Sequence, residues 1–147
     1  MMNKLATALI LLLIPVDHGT LAQSPAGCLG DLVFDSDRTQ LPAVYRTPDL
    51  YSINRDGTGE RQLTFSKPGE FSRTPSVSSD GQRVVFHGSR NGEGEGVYVM
   101  TCGNGLVTRL TSTGTSPAPF WSPNGRQVAF SMGVGADRAI WIVDGSP

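Results

Sequence analysis

Apolar and polar residues alternate in short runs along this chain, and turn-forming residues separate the runs. The stretch PAPFWSPNGRQVAF, residues 117–130, shows the pattern most completely, because a Phe-Trp pair, a Pro-Asn-Gly turn and an alternating segment follow one another. Proline presets φ for the first turn position and glycine adopts positive φ without a Cβ clash, so these residues predict a β-hairpin. Val128 and Phe130 are expected on one face of its second strand.

The stretch RTPSVSSDGQRVVF, residues 73–86, repeats this pattern: Gly81 precedes Gly125 by 44 residues, and Phe86 precedes Phe130 by the same interval. The equivalent positions of the repeat are Phe34, Phe86 and Phe130 in one strand, Tyr51, Tyr98 and Trp141 in the next, and Asp80-Gly81 and Asn124-Gly125 in the turns. A period of about 40 to 50 residues built from short strands is typical of radial β repeats. We expect the Asp-Gly and Asn-Gly pairs to form turns and the aromatic residues to pack between neighbouring sheets.

The same alternation predicts further strands on both sides of these two segments. They cover residues 32–34, 50–53, 60–64, 83–86, 97–100, 126–130 and 140–143, with one more strand that ends at Leu110-Thr111 and a connector at 65–71. The chain contains 18 Gly and 10 Pro, which interrupt it too often for a long helix after residue 22. The sequence therefore predicts an all-β fold. Its longest loop follows Phe34, and long loops on a repeat scaffold often carry the binding contacts.

Residues 1–22 have the features of a signal peptide. Lys4 gives the N-terminal region a positive charge, and residues 5–16 form an apolar run that is too short to span a bilayer. Small residues at the end of the segment, up to Ala22, suit cleavage by a signal peptidase. Cleavage there would leave residues 23–147 as the exported chain. The alternative is a lipoprotein acylated at Cys28, which requires an apolar residue where Pro25 stands.

Cys28 and Cys102 are the two cysteines of the chain. In an oxidising compartment they could form one disulfide bond, and the alternative is two unpaired thiols.

The formal net charge is −1, so the chain lacks the positive electrostatic field that would attract nucleic acid. Its arginines suit either ion pairs between strands or a binding patch.

Few side chains offer catalytic or metal chemistry. His87 is the only histidine after the leader, and we expect it to face a loop or a neighbouring sheet and not to serve in a catalytic triad. Asp35-Ser36-Asp37 lacks the further oxygen ligands of a calcium loop and is expected to cap a turn or pair with Arg38 or Arg46. The Gly-rich segment 91–96 carries two glutamates and is expected to be a hairpin loop, not a phosphate loop. We predict no catalytic residue, metal ligand or cofactor.

Four segments, SPNGRQVAF, SSDGQRVVF, DLYSINRDGTGERQLT and AIWIVDGSP, resemble the repeat of TolB-type β-propellers. That repeat runs through a Ser-Pro-Asp-Gly turn, a β-branched strand that ends in Phe, an Asp-Ile-Tyr-Val strand, Asp-Gly and Arg-Leu-Thr. The resemblance covers most of residues 32–145. This chain departs from the pattern at Val77, where the third repeat has Trp121, at Asn124, and at Cys102.

The resemblance implies a partial β-propeller of two to three four-stranded antiparallel blades, with repeats at about 32–64, 74–111 and 116–145. If each blade has strands A to D, the order is B-C-D, A-B-C-D, A-B-C. A closed ring needs about four or more blades. We therefore expect either part of a longer propeller or several copies that complete a ring together.

The resemblance also implies an exported, non-enzymatic module that binds proteins in the cell envelope, with a periplasmic or secreted location. Within the Tol-Pal system, the expected partner is the peptidoglycan-associated lipoprotein. The alternative is the propeller part of a serine peptidase or of an oligogalacturonate lyase-like enzyme. A peptidase of that type carries a Gly-x-Ser-x-Gly motif in a separate hydrolase domain, and the motif does not occur in these 147 residues.

Overall fold

A computed structural model describes residues 30–38, 47–112, 118–133 and 138–146 of the chain. These ranges form ten strands and no helix. The strands are β1 (Leu32–Ser36), β2 (Asp49–Ile53), β3 (Arg61–Gln62), β4 (Phe71–Val77), β5 (Arg83–Ser89), β6 (Glu95–Thr101), β7 (Val107–Ser112), β8 (Phe120–Trp121), β9 (Gln127–Met132) and β10 (Ala139–Asp144). The predicted leader and Cys28 lie outside the described residues.

The strands form three antiparallel sheets, in the orders β1-β2-β3, β4-β5-β6-β7 and β8-β9-β10. The predicted all-β fold is confirmed. In the described ranges, one four-stranded sheet thus stands between two sheets of three strands. No helix in these ranges is both long and apolar enough to cross a membrane.

An aromatic pair occupies the same register in every sheet. Phe34 lies opposite Tyr51 in the first sheet, Phe86 opposite Tyr98 in the second, and Phe130 opposite Trp141 in the third. The first two pairs have the same stacked geometry, with ring centroids 5.9 Å apart and interplanar angles of 24° and 21°. Cross-strand aromatic pairs stabilise a sheet, and this repetition shows that the three sheets are built on one plan.

The turns before β5 and β9 also share one hydrogen-bond pattern. Asp80 Oδ1 accepts from Ser78 Oγ at 2.5 Å and from the backbone N–H of Gln82 at 2.9 Å, and these bonds lower the pKa of Asp80. In the later turn Asn124 Oδ1 accepts from Ser122 Oγ at 2.7 Å and from the backbone N–H of residue 126 at 3.1 Å. Glycine follows in both turns, at φ +67° for Gly81 and +66° for Gly125, where a Cβ would be strained.

Two apolar clusters join the sheets face to face. The first lies between the first and second sheets and contains Leu50, Val84, Phe86, Tyr98, Met100 and Cys102. The second lies between the second and third sheets and contains Val85, Val97, Val99, Val128 and Phe130. Adjacent residues of β5 therefore face opposite clusters, as the period of two along a strand requires. Burial on both faces makes the second sheet the centre of the described structure.

Strand β4 contains a bulge, and its first residue lies before the predicted start of the second repeat. The strand begins at Phe71, the last residue of the predicted connector 65–71, and the second sheet therefore starts before the predicted repeat. Pro75 cannot donate to the ladder, and the register with β5 shifts between Arg73 and Ser76. At this bulge Thr74 has φ +50°, and its N–H donates to Asp35 Oδ1 of the first sheet at 3.0 Å.

Asp49 and Arg90 are buried charged residues that hold the connector between the first and second sheets. The Asp49 carboxylate accepts from the hydroxyls of Thr64 and Ser66, both at 2.8 Å. The Arg90 guanidinium donates to Ser72 Oγ at 2.6 Å and to the carbonyl oxygen of Phe65 at 3.3 Å. Buried charges are tolerated when they are hydrogen-bonded in this way, so this network fixes the path of residues 64–72.

Cys102 is buried in the first apolar cluster, with 7% of its surface exposed. Its backbone N–H donates to the carbonyl oxygen of Gln82 at 2.8 Å. The described part of the chain contains no free cysteine. Because Cys28 is not among the described residues, the bond between Cys28 and Cys102 stays a prediction.

Candidate functional site: a polar groove at one end of the sheets

A polar groove opens at the end of the sheets where β1 leads into β2 and β5 leads into β6, and residues of the first and second sheets line it. One part has a volume of about 450 Å³ and is lined by Thr47, Pro48, Gly69, Glu70, Phe71, Arg73, Thr74, His87 and Glu95. A second part of about 410 Å³ is lined by Asp35, Ser36, Asp37, Pro48 and Arg73. The two parts share Pro48 and Arg73, so they form one continuous surface.

His87 forms the floor of the groove. Register on β5 places it opposite Arg73 of β4 and Val97 of β6, and only 5% of its surface is exposed. Its ring meets Phe71 edge to face, with centroids 5.0 Å apart. Nε2 lies 3.7 Å from Glu95 Oε2 and makes no hydrogen bond. Burial lowers the pKa of His87 and the Glu95 carboxylate opposes this shift, so the imidazole is held neutral at pH 7.

Arg73 is the cation at the centre of the groove. Its side chain is exposed, and its guanidinium carbon lies 5.7 Å from the centroid of the Phe71 ring. An arginine that rests on an aromatic face keeps its planar donors available for carboxylates or carbonyl oxygens. Arg73 is therefore the side chain of this groove that is best placed to contact an incoming polar group.

Carboxylates surround this cation. Glu70 Oε1 accepts from the N–H of Asn91 at 2.8 Å and Oε2 from the N–H of Lys67 at 3.1 Å, and the bond to Lys67 is the largest cause that lowers the pKa of Glu70. Asp35, Asp37 and Glu95 line the remaining edges. The groove thus offers several acceptors around one donor, which suits contacts with a polypeptide surface.

The structure does not bring the predicted chemical candidates together as a metal or catalytic set. Among the described residues, no group of three His, Cys, Asp or Glu side chains could hold a metal ion. Arg38 pairs with Glu60 at 2.8 Å and donates to Ser36 Oγ, instead of pairing with Asp35 or Asp37 as we expected. The other expected partner, Arg46, lies outside the described residues. In the Gly-rich loop, Gly94 accepts from the Tyr98 hydroxyl at 2.7 Å.

The predicted repeat aromatics differ in their surroundings. Tyr98 is buried between the first and second sheets, with 1% of its surface exposed. Tyr51 is 6% exposed and, with Phe34, lies beneath Arg38, whose guanidinium carbon is 5.2 Å from both ring centroids. Trp141 remains 49% exposed. The expected packing between sheets therefore holds for Tyr98 and is incomplete at Trp141.

The sequence led us to expect that His87 faces a loop or a neighbouring sheet, and it did not indicate the residues that surround His87 in the groove. Arg73 and Glu95 become its neighbours through strand pairing, because Arg73 lies opposite His87 and Glu95 opposite Ser89. Glu70 joins them from the connector before β4. The register of β5 with β6 could have indicated Glu95, whereas the bulge in β4 obscured the position of Arg73.

Comparison with known proteins shows similarity to TolB proteins over much of the chain. The chain is 36% identical over 113 residues to the Protein TolB homolog of Chlorobium luteolum, which covers 77% of this chain and 24% of that protein. It is 38% identical over 63 residues to the Tol-Pal system protein TolB of Francisella tularensis, covering 42% of this chain and 14% of that protein. The chain thus spans about a quarter or less of the length of these relatives. No protein-family model matches it.

Solved structures show the same similarity in three dimensions. TolB from Acinetobacter baumannii superposes with a TM-score of 0.63 at 25% identity, covering 76% of this chain and 26% of that one. A putative TolB from Agrobacterium tumefaciens gives 0.60 at 24% identity, covering 76% and 38%. A prolyl endopeptidase gives 0.51 at 19% identity, covering 69% and 18%, which is a likeness of fold alone. The chain has a TolB-like β-propeller fold, and its sequence and structural relatives support a place in the TolB-like propeller family.

Proposed function

We propose that this chain is an exported, non-enzymatic binding module that contacts a protein partner in the cell envelope, in the periplasm or after secretion. The observation that carries the proposal is the 36% identity over 113 residues to a TolB homolog. The name of the Francisella relative assigns that protein to the Tol-Pal system. The signal peptide predicted at residues 1–22 supports export.

We assign the contact to the polar groove that residues of the first and second sheets line. Its rim combines exposed Arg73 with Glu95 and the carboxylates of the 35–37 segment, and its floor is the neutral imidazole of His87. Polar rims around a partly apolar floor are typical of protein interfaces. Loops on a rigid sheet scaffold hold such groups in place, which lowers the entropic cost of binding.

The experiment is a calorimetric titration of the purified chain with the soluble domain of the peptidoglycan-associated lipoprotein from the same organism. The informative variant is Arg73→Glu, which reverses the charge at the centre of the groove. The matched control is Arg126→Glu, an equally drastic change at an exposed arginine in the turn before β9, at the opposite end of the sheets. Circular dichroism spectra establish that both variants keep the parent fold.

We expect binding by the parent chain and by Arg126→Glu, and at least a tenfold weaker affinity for Arg73→Glu. Equal affinities for the two variants would remove the groove from the proposal. Absence of any binding by the parent chain would overturn the assignment of this partner.

The enzymatic alternative, a propeller part of a serine peptidase or an oligogalacturonate lyase-like protein, has weaker support. Its one structural parallel is the prolyl endopeptidase at 19% identity. His87 is enclosed beneath Phe71, and its Nε2 atom lies 3.7 Å from a Glu95 carboxylate oxygen. A triad requires a nucleophile hydrogen-bonded to the histidine, and the Nε2 atom makes no hydrogen bond.

A further inference from the structure

The outer face of the third sheet is apolar and exposed. Phe120 lies opposite Ala129, and Ile142 lies opposite Ala129 from the other side, so the three form one row across the sheet. Ile140 lies beside this row, opposite Ser131. The exposed fractions are 62% for Phe120, 78% for Ile140 and 61% for Ile142. Three large apolar side chains on one face are more than scattered exposure explains.

Comparison with the second sheet indicates which kind of surface packs on this face. Aligning Val84-Val85-Phe86 with Val128-Ala129-Phe130 makes Ala129 the equivalent of Val85. Ile140 and Ile142, next to Trp141, correspond to Val97 and Val99, next to Tyr98. In the second sheet Val85, Val97 and Val99 are at most 1% exposed, because the Val128 and Phe130 side chains of the third sheet cover them.

The face that would cover the third sheet must therefore resemble the one that Val128 and Phe130 present. The chain carries such a face on the outside of its first sheet. Leu32-Val33-Phe34 is the equivalent of Val128-Ala129-Phe130, with Phe34 stacked on Tyr51. Leu32 is 57% exposed, whereas its equivalents Val84 and Val128 are completely buried between sheets.

We propose that copies of this chain associate head to tail, with the outer face of the third sheet of one copy packed on the Leu32 and Phe34 face of the first sheet of the next. The contact continues the packing that already joins the sheets within one chain. Arg38 lies over the rings of Phe34 and Tyr51 on this face and would be enclosed in the contact, as Arg83 is partly enclosed over Trp121 between the second and third sheets. Such heterologous contacts close into a ring when the rotation between copies permits.

The two faces that join are different, so each can be disabled separately. Ile142→Lys places a charge on the third-sheet face, and Leu32→Lys places one on the first-sheet face. Leu106→Lys is the control, because Leu106 is also 57% exposed but lies in the turn between β6 and β7. Masses are measured by sedimentation velocity and native mass spectrometry over a hundredfold range of concentration, and circular dichroism verifies the fold of each variant.

We expect the parent chain and Leu106→Lys to form species of two or more chains. Ile142→Lys and Leu32→Lys should each be monomers, with at least a tenfold higher dissociation constant. Mixing these two variants should restore a one-to-one dimer, because each supplies the face that the other lacks.

A monomeric parent chain at every concentration would overturn the proposal, and would point instead to a further repeat or another protein as the occupant of the third-sheet face. Association that Ile142→Lys abolishes but Leu32→Lys leaves intact would also overturn it, since two third-sheet faces would then meet. The inference goes beyond the proposed envelope function, and Arg73→Glu, which lies in neither face, keeps the two tests distinguishable.

Discussion

The guanidinium carbon of Arg83 lies 4.4 Å from the ring centroid of Trp121, so a side chain of the second sheet rests directly on the third. The same guanidinium donates to the carbonyl oxygens of Gly125 at 2.7 Å and Gly145 at 2.8 Å. Both oxygens belong to loops at the edges of the third sheet. Arg83 therefore fastens two sheets through three contacts at once.

Replacing Arg83 should loosen this junction. We expect Arg83→Met to lower the free energy of unfolding by about 2 to 3 kcal/mol, because two charge-assisted hydrogen bonds and a cation–π contact are lost. Arg83→Lys should lose less, since an ammonium group can keep one of the bonds. Urea denaturation measures both, with Arg126→Met as an exposed control. A stability of Arg83→Met equal to that of the control would show that the bridge contributes nothing.

Phe130 tests the packing between the second and third sheets. It is 4% exposed and belongs to the apolar cluster that those sheets share. We expect Phe130→Ala to cost about 3 to 5 kcal/mol, because the truncation leaves a cavity. Phe65→Ala is the control, since Phe65 is 70% exposed. Equal melting temperatures for the two variants would be incompatible with burial of Phe130.

Gly96 tests the close approach of β6 to β7. A Cβ added at Gly96 would lie 2.3 Å from the backbone oxygen of Thr111, which cannot move without disturbing the ladder. We expect Gly96→Ala to destabilise the protein by about 1 to 3 kcal/mol through overpacking. Ser112→Ala, at the exposed position paired with Gly96, should have little effect. A neutral Gly96→Ala variant in thermal unfolding would show that the two strands lie further apart.

His87 predicts a pH dependence of stability. Burial lowers its pKa in the folded protein below the ordinary value of 6.5, so the unfolded chain binds more protons in the window between the two values. The His87 contribution is therefore complete above pH 6.5 and is lost as the pH falls through that window.

The measurement is the free energy of unfolding of the parent chain and of His87→Gln at several pH values between 7.5 and 5.5. We expect the advantage of the parent over the variant to shrink as the pH falls. An advantage that grows on acidification would mean that pairing with Glu95 outweighs burial.

The predicted disulfide between Cys28 and Cys102 can be tested by counting the free thiols before and after reduction. Alkylation of the denatured chain should add no label before reduction and two labels after it, as measured by mass spectrometry. Reduction should then lower stability by about 2 to 4 kcal/mol, because the bond closes a long loop in the unfolded state. Two labels without reduction would show that the cysteines are not bonded to each other.

Strand positions and turns were readable from the sequence where local patterns determine them. Val84-Val85-Phe86 alternates between two buried faces, and Asp80-Gly81 offers both an acceptor and positive φ, so both features follow from neighbours in the chain. Strand β4 was harder, because its first residue, Phe71, was assigned to the predicted connector 65–71 and Pro75 interrupts its ladder. Residues 71–77 form a strand because they pair with β5 on both sides of the bulge, and this pairing cannot be read from the local sequence.

The long-range polar contacts could not be read in the same way. Nothing near Arg90 in the sequence indicates that it is buried against Ser72 and Phe65, since arginine is usually exposed. Arg83 likewise contacts carbonyl oxygens 42 and 62 residues away. The position of such a side chain depends on how the sheets stack, which no local pattern encodes.

The stacking of the three sheets is tested most directly by nuclear Overhauser effects in a methyl- and aromatic-labelled sample. We expect cross-peaks from the Leu50 methyl groups to side chains of the Val84, Phe86, Tyr98 and Met100 cluster, and from the Val85, Val97 or Val99 methyl groups to Phe130. These peaks join the first sheet to the second and the second to the third. A spectrum in which Leu50 and Phe130 contact only side chains of their own sheets would contradict the propeller-like arrangement.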